Sequence, residues 1–202
     1  MDMLVWIVLL IFSVMIHEVS HGAAAYLLGD DTAKRAGRLS LNPFRHLDPV
    51  WTILLPALLY ISSGGRFLFA MAKPVPVNFQ RLHEPKKDMG IVGFAGPFSN
   101  VLLAALFSLF WKLNGHPVLL TGVYLNLGLA VFNMVPIPPL DGSRVAASLM
   151  PRRWASPYLR IERLGYLIIL VLYFTGILMH LLIPAVDGLC RILEVPLLSA
   201  TP

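Results

Sequence analysis

Two histidines and a glutamate stand in the pattern His17-Glu18-Val19-Ser20-His21. On a helix, residues four apart share a face, so both imidazoles can grip one Zn²⁺ while Glu18 acts as a base toward water. That is the chemistry of peptide hydrolysis. The motif lies inside the run MLVWIVLLIFSVMIHEVSHGAAAYLLG, from Met3 to Gly29, where Glu18 is the one charged side chain. An ionisable group at membrane depth costs at least ~2–3 kcal/mol, so its presence there points to function. A helix-stapling pair of Glu18 with one histidine would explain two of these residues, but not all three at this spacing.

Two histidines leave zinc short of the three protein ligands that a hydrolytic site normally supplies. A third histidine six residues beyond His21 would fall on Leu27. His46 and His83 sit in polar stretches that suit solvated imidazoles, and Glu84 adjoins Lys86 and Lys87. His116 falls on the opposite side in the topology below, and His180 lies near the outer end of the last span. Asp141 remains, at the end of Asn133-Met134-Val135-Pro136-Ile137-Pro138-Pro139-Leu140-Asp141-Gly142. Two roles are open to it: third ligand, or N-cap of a helix over Gly142–Met150. As a ligand it would let two imidazoles, one carboxylate and a hydroxide neutralise Zn²⁺, which matters where the dielectric is low.

The elements that must position these residues follow from composition. Of 202 residues, 57% are hydrophobic and 13% charged, about half the usual charged fraction, with a mean hydropathy of +0.73. This is an integral membrane protein. Asp2 stands where a leader peptide would be basic, so no cleavable leader is expected. One cysteine, Cys190, excludes an internal disulfide framework and a thiolate metal cluster. The net charge of +5 is scattered over loops between apolar runs, which excludes a nucleic-acid partner and reports topology instead.

The first apolar run spans with tilt, at roughly 40 Å of helix. Val50–Ile61 is short and interrupted by Pro56, a partial span. Residues 66–78 carry Pro74 and Pro76, which forbid a regular helix and predict extended backbone. Met89–Leu113 and Val118–Val135 are further spans, and a last one runs near Ile161–Ile183 after the basic loop PRRWASPYLR. The stretches 30–49, 78–88 and 142–160 hold 11 of the 16 Lys and Arg, which places them in the cytoplasm and the N-terminus outside. The candidate metal site then lies in the membrane near its cytoplasmic face. The fold expected is an all-α polytopic membrane protein of five to six transmembrane segments with a short β-like segment near 66–78. Residues 1–183 form its membrane-embedded domain, and 184–202 a short amphipathic tail.

Taken in order, HEVSH, AKPVPVN, GFAGPFSN and NMVPIPPLDG resemble the site-2 protease family of intramembrane zinc metalloproteases, from Met3 to about Met150. The resemblance implies one zinc ion per chain held by His17, His21 and Asp141. It also implies a catalytic Glu18, and an Asn133 that contacts substrate or oxyanion. It implies substrates that are transmembrane proteins or peptides, cut in or near their membrane segments in regulated proteolysis. The setting would be a lipid bilayer, the inner membrane of a prokaryotic cell. Neither a PDZ-like insertion nor a nucleotide-sensing CBS tail is visible. Gly93, Gly96 and Asn100 suit close helix packing, with site contact the alternative for Asn100. Lys73 fits either an interfacial anchor or a substrate groove. The competing function is a membrane zinc transporter, or a metal-binding membrane protein without peptidase activity.

Overall fold

Apolar side chains at helical spacing dictate the architecture. The computed structural model describes residues 3–45 and 73–200. The expected partial span Val50–Ile61, residues 66–72 and His46 therefore lie outside the described residues. Helix α1 (Met3–Leu27) is about 38 Å long. Ser13, His17, His21 and Ala25, four apart, form its buried stripe, while Leu4, Val8, Phe12 and Leu27 face outward. The helix stops where Gly29 takes a left-handed φ of 104°, a conformation open to glycine without steric cost. A single turn, α2 (Thr32–Arg35), follows.

Helix α3 (Pro85–Asn114) is the central element. It begins at a proline, whose missing N–H costs nothing at a first turn. Much of its buried side is small or polar, with Gly90, Gly93, Gly96, Asn100, Ala104 and Ser108 beside Met89 and Val92. Ile91, Phe94, Phe98, Leu102 and Leu106 lie on its exposed side. Helix α4 (Pro117–Asn133) returns antiparallel through the tight turn at Gly115. It packs on α3 closely enough that a Cβ at Gly122 would lie 2.8 Å from the Phe107 ring. Helices α1, α3 and α4 enclose the polar residues described below.

After the proline run come α5 (Asp141–Leu149), α6 (Arg152–Arg160), α7 (Glu162–Phe174) and α8 (Ile177–Ile192). Three differences from the sequence reading stand out. The basic loop is helix α6, whose apolar Ala155 is buried and whose Tyr158 hydroxyl donates to the Pro136 carbonyl at 2.7 Å. The last span is broken: α7 and α8 meet at 81°, where Gly176 adopts a left-handed φ of 76°. Helix α8 also runs through Pro184, across the boundary expected at 183/184. Val186, Cys190 and Val195 beyond it join Ala104, Val123 and Leu127 in one hydrophobic cluster.

The described residues contain no strand, and 73–78 are neither helix nor strand. Two helices, α1 and α3, are long and apolar enough to cross a membrane; counting the bent pair as one span makes three. Helix α4, at 17 residues, is about 26 Å long, short of a hydrocarbon core of about 30 Å. Five to six spans are thus not reached among the described residues.

Candidate metal centre

His17 and His21 project from the buried stripe of α1 toward the N-terminus of α5, where Asp141 is the first helical residue. The N-cap is Leu140 rather than Asp141, so the capping role open in the sequence is not the one Asp141 plays. His17 Nε2 and His21 Nε2 lie 3.1 Å apart, and Asp141 Oδ2 is 3.0 Å and 3.2 Å from them. A tetrahedral zinc with bonds of 2.0–2.1 Å requires ligand atoms about 3.3 Å apart. The spacing fits.

The chemistry of the donor set fits as well. His21 Nδ1 donates to the Val92 carbonyl at 2.6 Å, and His17 Nδ1 lies 2.5 Å from Asn100 Oδ1. With both Nδ1 atoms so engaged, each neutral imidazole turns a bare Nε2 lone pair toward the carboxylate oxygen. Three electron pairs converging on one point, largely out of water, form a donor set that a cation would fit.

Glycine makes the space. A Cβ at Gly96 would come within 2.7 Å of His17 Nε2 and closer still to His21 Nε2. A Cβ at Gly93 would press on Arg144 at 2.9 Å and on the Asp141 carbonyl at 3.1 Å, so this glycine lets α5 reach the histidines. At Gly142 a Cβ would strike the Met134 carbonyl. The DG pair is therefore a backbone approach, needed to fold the proline run back on itself. Arg144, one turn along α5, is tied to Glu162 at 2.8 Å and anchors that helix to α7.

Glu18 is partly buried, and its Oε2 accepts the Val75 N–H at 2.8 Å. Segment 73–78 thus passes over the glutamate, and it is held at both ends. Buried Arg38 donates from Nη2 to the carbonyls of Lys73 and Pro74, at 2.6 and 3.3 Å. Asp30 accepts the Asn78 N–H at 2.6 Å, together with the Thr32 N–H and hydroxyl. Burial pushes the Asp30 carboxyl up, but these hydrogen bonds outweigh it and hold the group below the usual carboxylate range. A lowered folded-state pKa makes this tie present at neutral pH and lost as pH falls through that value. Nothing in the sequence marks Arg38 or Asp30 as anchors of this segment; their partners are backbone atoms 35 to 48 residues away.

Asn133 is not brought into the cluster. Its amide nitrogen donates to the Leu129 carbonyl of its own helix at 3.0 Å. His83, His116 and His180 also lie apart: His83 is exposed beside Gly29, His116 caps α4, and His180 bonds back to Gly176.

The sequence signature of Peptidase family M50 matches residues 111–176. A Bacillus subtilis protein named "Putative zinc metalloprotease YwhC" is 35% identical over 90% of this chain and 85% of its own length. Rip2 of Mycolicibacterium smegmatis, also named a zinc metalloprotease of that standing, is 28% identical over 82% of this chain and 64% of its own length. "Zinc metalloprotease MJ0392" of Methanocaldococcus jannaschii is 25% identical over 78% and 37%, respectively. No solved structure matches the chain. With a helix-borne HExxH, a converging aspartate and relatives of this extent, the chain belongs to peptidase family M50, the zinc metallopeptidases of the site-2 protease type.

Proposed function

We propose that His17, His21 and Asp141 hold the zinc ion and that Glu18 is the base and acid of peptide-bond hydrolysis in or near transmembrane segments. The observation that carries this reading is the convergence of two bare imidazole nitrogens and one carboxylate oxygen at 3.0–3.2 Å. Zinc, when bound, supplies a Lewis acid and lowers the pKa of water toward ~7. Glu18 takes the proton of the attacking water and returns it to the departing amine. The Val75 N–H fixes one carboxylate oxygen and thereby the plane of the group. Asn133 serves substrate or oxyanion only if its amide leaves the Leu129 carbonyl.

Segment 73–78 lies where substrate backbone must come to reach Glu18. Its carbonyls at Lys73 and Pro74 and its N–H groups at Val75 and Asn78 are taken by side chains. Strand addition to this segment would therefore rest on the remaining backbone groups, from Val75 O to Val77 O.

A transmembrane peptide in proteoliposomes should be cut by the protein as purified. Cleavage should stop after dialysis against a strong chelator and return with one equivalent of Zn²⁺. Zinc flux across the same liposomes without peptide cleavage would instead establish the transport alternative.

The orientation follows from charge. The exposed cations Lys34, Arg35, Arg45, Arg81, Lys87, Arg152 and Arg153 belong to the cytoplasmic side, which sets the N-terminus outside and the site nearer the cytosol of a prokaryotic inner membrane. In a Cys190→Ser background, cysteines at Ser40, Asn78 and Ser156 should resist an impermeant thiol reagent applied outside. One at Asn114 should react. The opposite labelling pattern would invert the topology.

A further inference from the structure

Beside the ligand cluster lies a polar network made of residues that are entirely buried. Ser13 on α1, Asn100 on α3 and Asn126 on α4 are each 0% exposed. Asn126 Nδ2 donates to the Gly122 carbonyl at 2.9 Å and to Ser13 Oγ at 2.9 Å. Asn100 Nδ2 donates to Asn126 Oδ1 at 2.9 Å and faces the Ser13 carbonyl at 3.4 Å. Asn100 Oδ1 then meets His17 Nδ1.

The direction of every bond in this chain is forced from its far end. A backbone carbonyl can only accept, so the Asn126 atom facing Gly122 is the amide nitrogen. Its oxygen therefore faces Asn100 and must receive a proton there. The Ser13 carbonyl, at 3.4 Å, favours the same orientation of Asn100 more weakly. What Asn100 has left for His17 is its oxygen, which can only accept. His17 Nδ1 must carry a proton, and in the neutral ring Nε2 is then bare. Turning over Asn126 would set oxygen against the Gly122 carbonyl, and turning over Asn100 would set its oxygen against those of Asn126 and Ser13, among side chains that are fully buried.

We propose that Asn100 and Asn126 are positioning residues, a directional relay that begins at the Gly122 carbonyl and holds His17 in the tautomer able to bind metal. His21 receives the same service in one step, from the Val92 carbonyl. The two histidines differ because α3 presents main chain to His21 but a side chain to His17, one turn of α1 away. A neutral amide in that place orients the ring without adding a second negative charge to the Asp141 carboxylate. Asn126 makes no contact with the ligand atoms, yet its orientation decides which nitrogen of His17 is protonated.

The inference rests on the reading of His17 as a zinc ligand, and the experiment separates the two. Zinc affinity of the full-length protein in nanodiscs is measured by competition with a zinc indicator, for wild type and for Asn100→Leu, Asn100→Asp, Asn126→Leu and His17→Ala. Loss of a partner that orients a ligand typically weakens metal binding by about 10–100-fold. Asn100→Leu should fall in that range and Asn126→Leu should lose about 3–10-fold. Asn100→Asp, which keeps an acceptor toward His17 but loses the donor toward Asn126, should retain more zinc than Asn100→Leu.

The second readout needs no metal. In zinc-free protein with ¹⁵N-labelled histidine, at a pH where the imidazoles are neutral, His17 should carry its proton on Nδ1. The signal is assigned by its loss in His17→Ala. Asn126→Leu should give a mixture of tautomers. A proton on Nε2 of His17 in the wild type would overturn the proposal even if neither leucine variant folds. So would wild-type zinc affinity in both leucine variants when His17→Ala has lost its zinc. Zinc retained by His17→Ala would defeat the ligand reading instead, and the tautomer measurement would then judge the relay by itself.

Discussion

Alanine at His17, His21 or Asp141 is expected to strip the protein of its zinc and of all proteolysis. Structural zinc sites in small domains hold the ion by roughly 10–16 kcal/mol shared over about four ligands, so one ligand is worth on the order of 10²–10³-fold in affinity. Two remaining ligand atoms would not retain the ion against a competing chelator. Elemental analysis after gel filtration in chelator should find about one zinc per chain in the wild type and almost none in each variant. Asp141→Ala is the most informative of the three. Its carboxylate approaches both Nε2 atoms, yet it is also the first residue of α5, where a negative charge favours the helix N-terminus on its own account. A helix effect would lower thermal stability and leave zinc in place. Full occupancy in Asp141→Ala would therefore remove it from the ligand set and return attention to His46.

The convergence of His17, His21 and Asp141 was legible because its parts announce themselves in different ways. His17 and His21 lie on one helix, so their juxtaposition follows from helical spacing alone. Asp141 was harder, being 120 residues from His21. It was reached by setting aside the other histidines and by charge neutrality, with the ligand role implied by the resemblance; Gly142 against Met134 shows how the backbone is folded to bring it there. The other half of the site was not legible. Asn100 suits close packing, with site contact only the alternative, and nothing in the sequence singles out Asn126. Their meaning depends on how α3 and α4 are rotated about their axes, which no local pattern states. Val75 and Arg38 escaped for the same reason: the partners of Glu18 and of segment 73–78 are main-chain atoms, and main-chain atoms are identical at every position. The break at Gly176 shows the limit of composition. Apolar residues on both sides of Thr175-Gly176 satisfy any test for a span, while a single left-handed φ turns the chain by 81°.

Glu18→Gln should keep the zinc and lose turnover. The substitution preserves shape and replaces a base with an amide that has no proton affinity at neutral pH. Its carbonyl oxygen can still accept the Val75 N–H that Glu18 Oε2 accepts at 2.8 Å, so segment 73–78 should stay in place. Proton transfer by a positioned side chain contributes about 10²–10⁴-fold. Here one carboxylate serves both attack and departure, so kcat should fall toward the upper end of that range, with KM little changed. Val75→Pro isolates the positioning component. It removes the N–H while leaving the carboxylate basic, so it should lower kcat by about 10–100-fold, the worth of one hydrogen bond to a charged group at roughly 1.5–3 kcal/mol. If Val75→Pro were as damaging as Glu18→Gln, the contact would matter more than the basicity, and Glu18 would be an anchor for the segment. Near-normal cleavage by Glu18→Gln with zinc in place would go further, since some other group would then have to take the proton from water. Among residues that touch the ligand cluster, Asn100 cannot do so, because its oxygen is already occupied by His17. The separation of zinc content from turnover in this one variant is therefore what assigns the base.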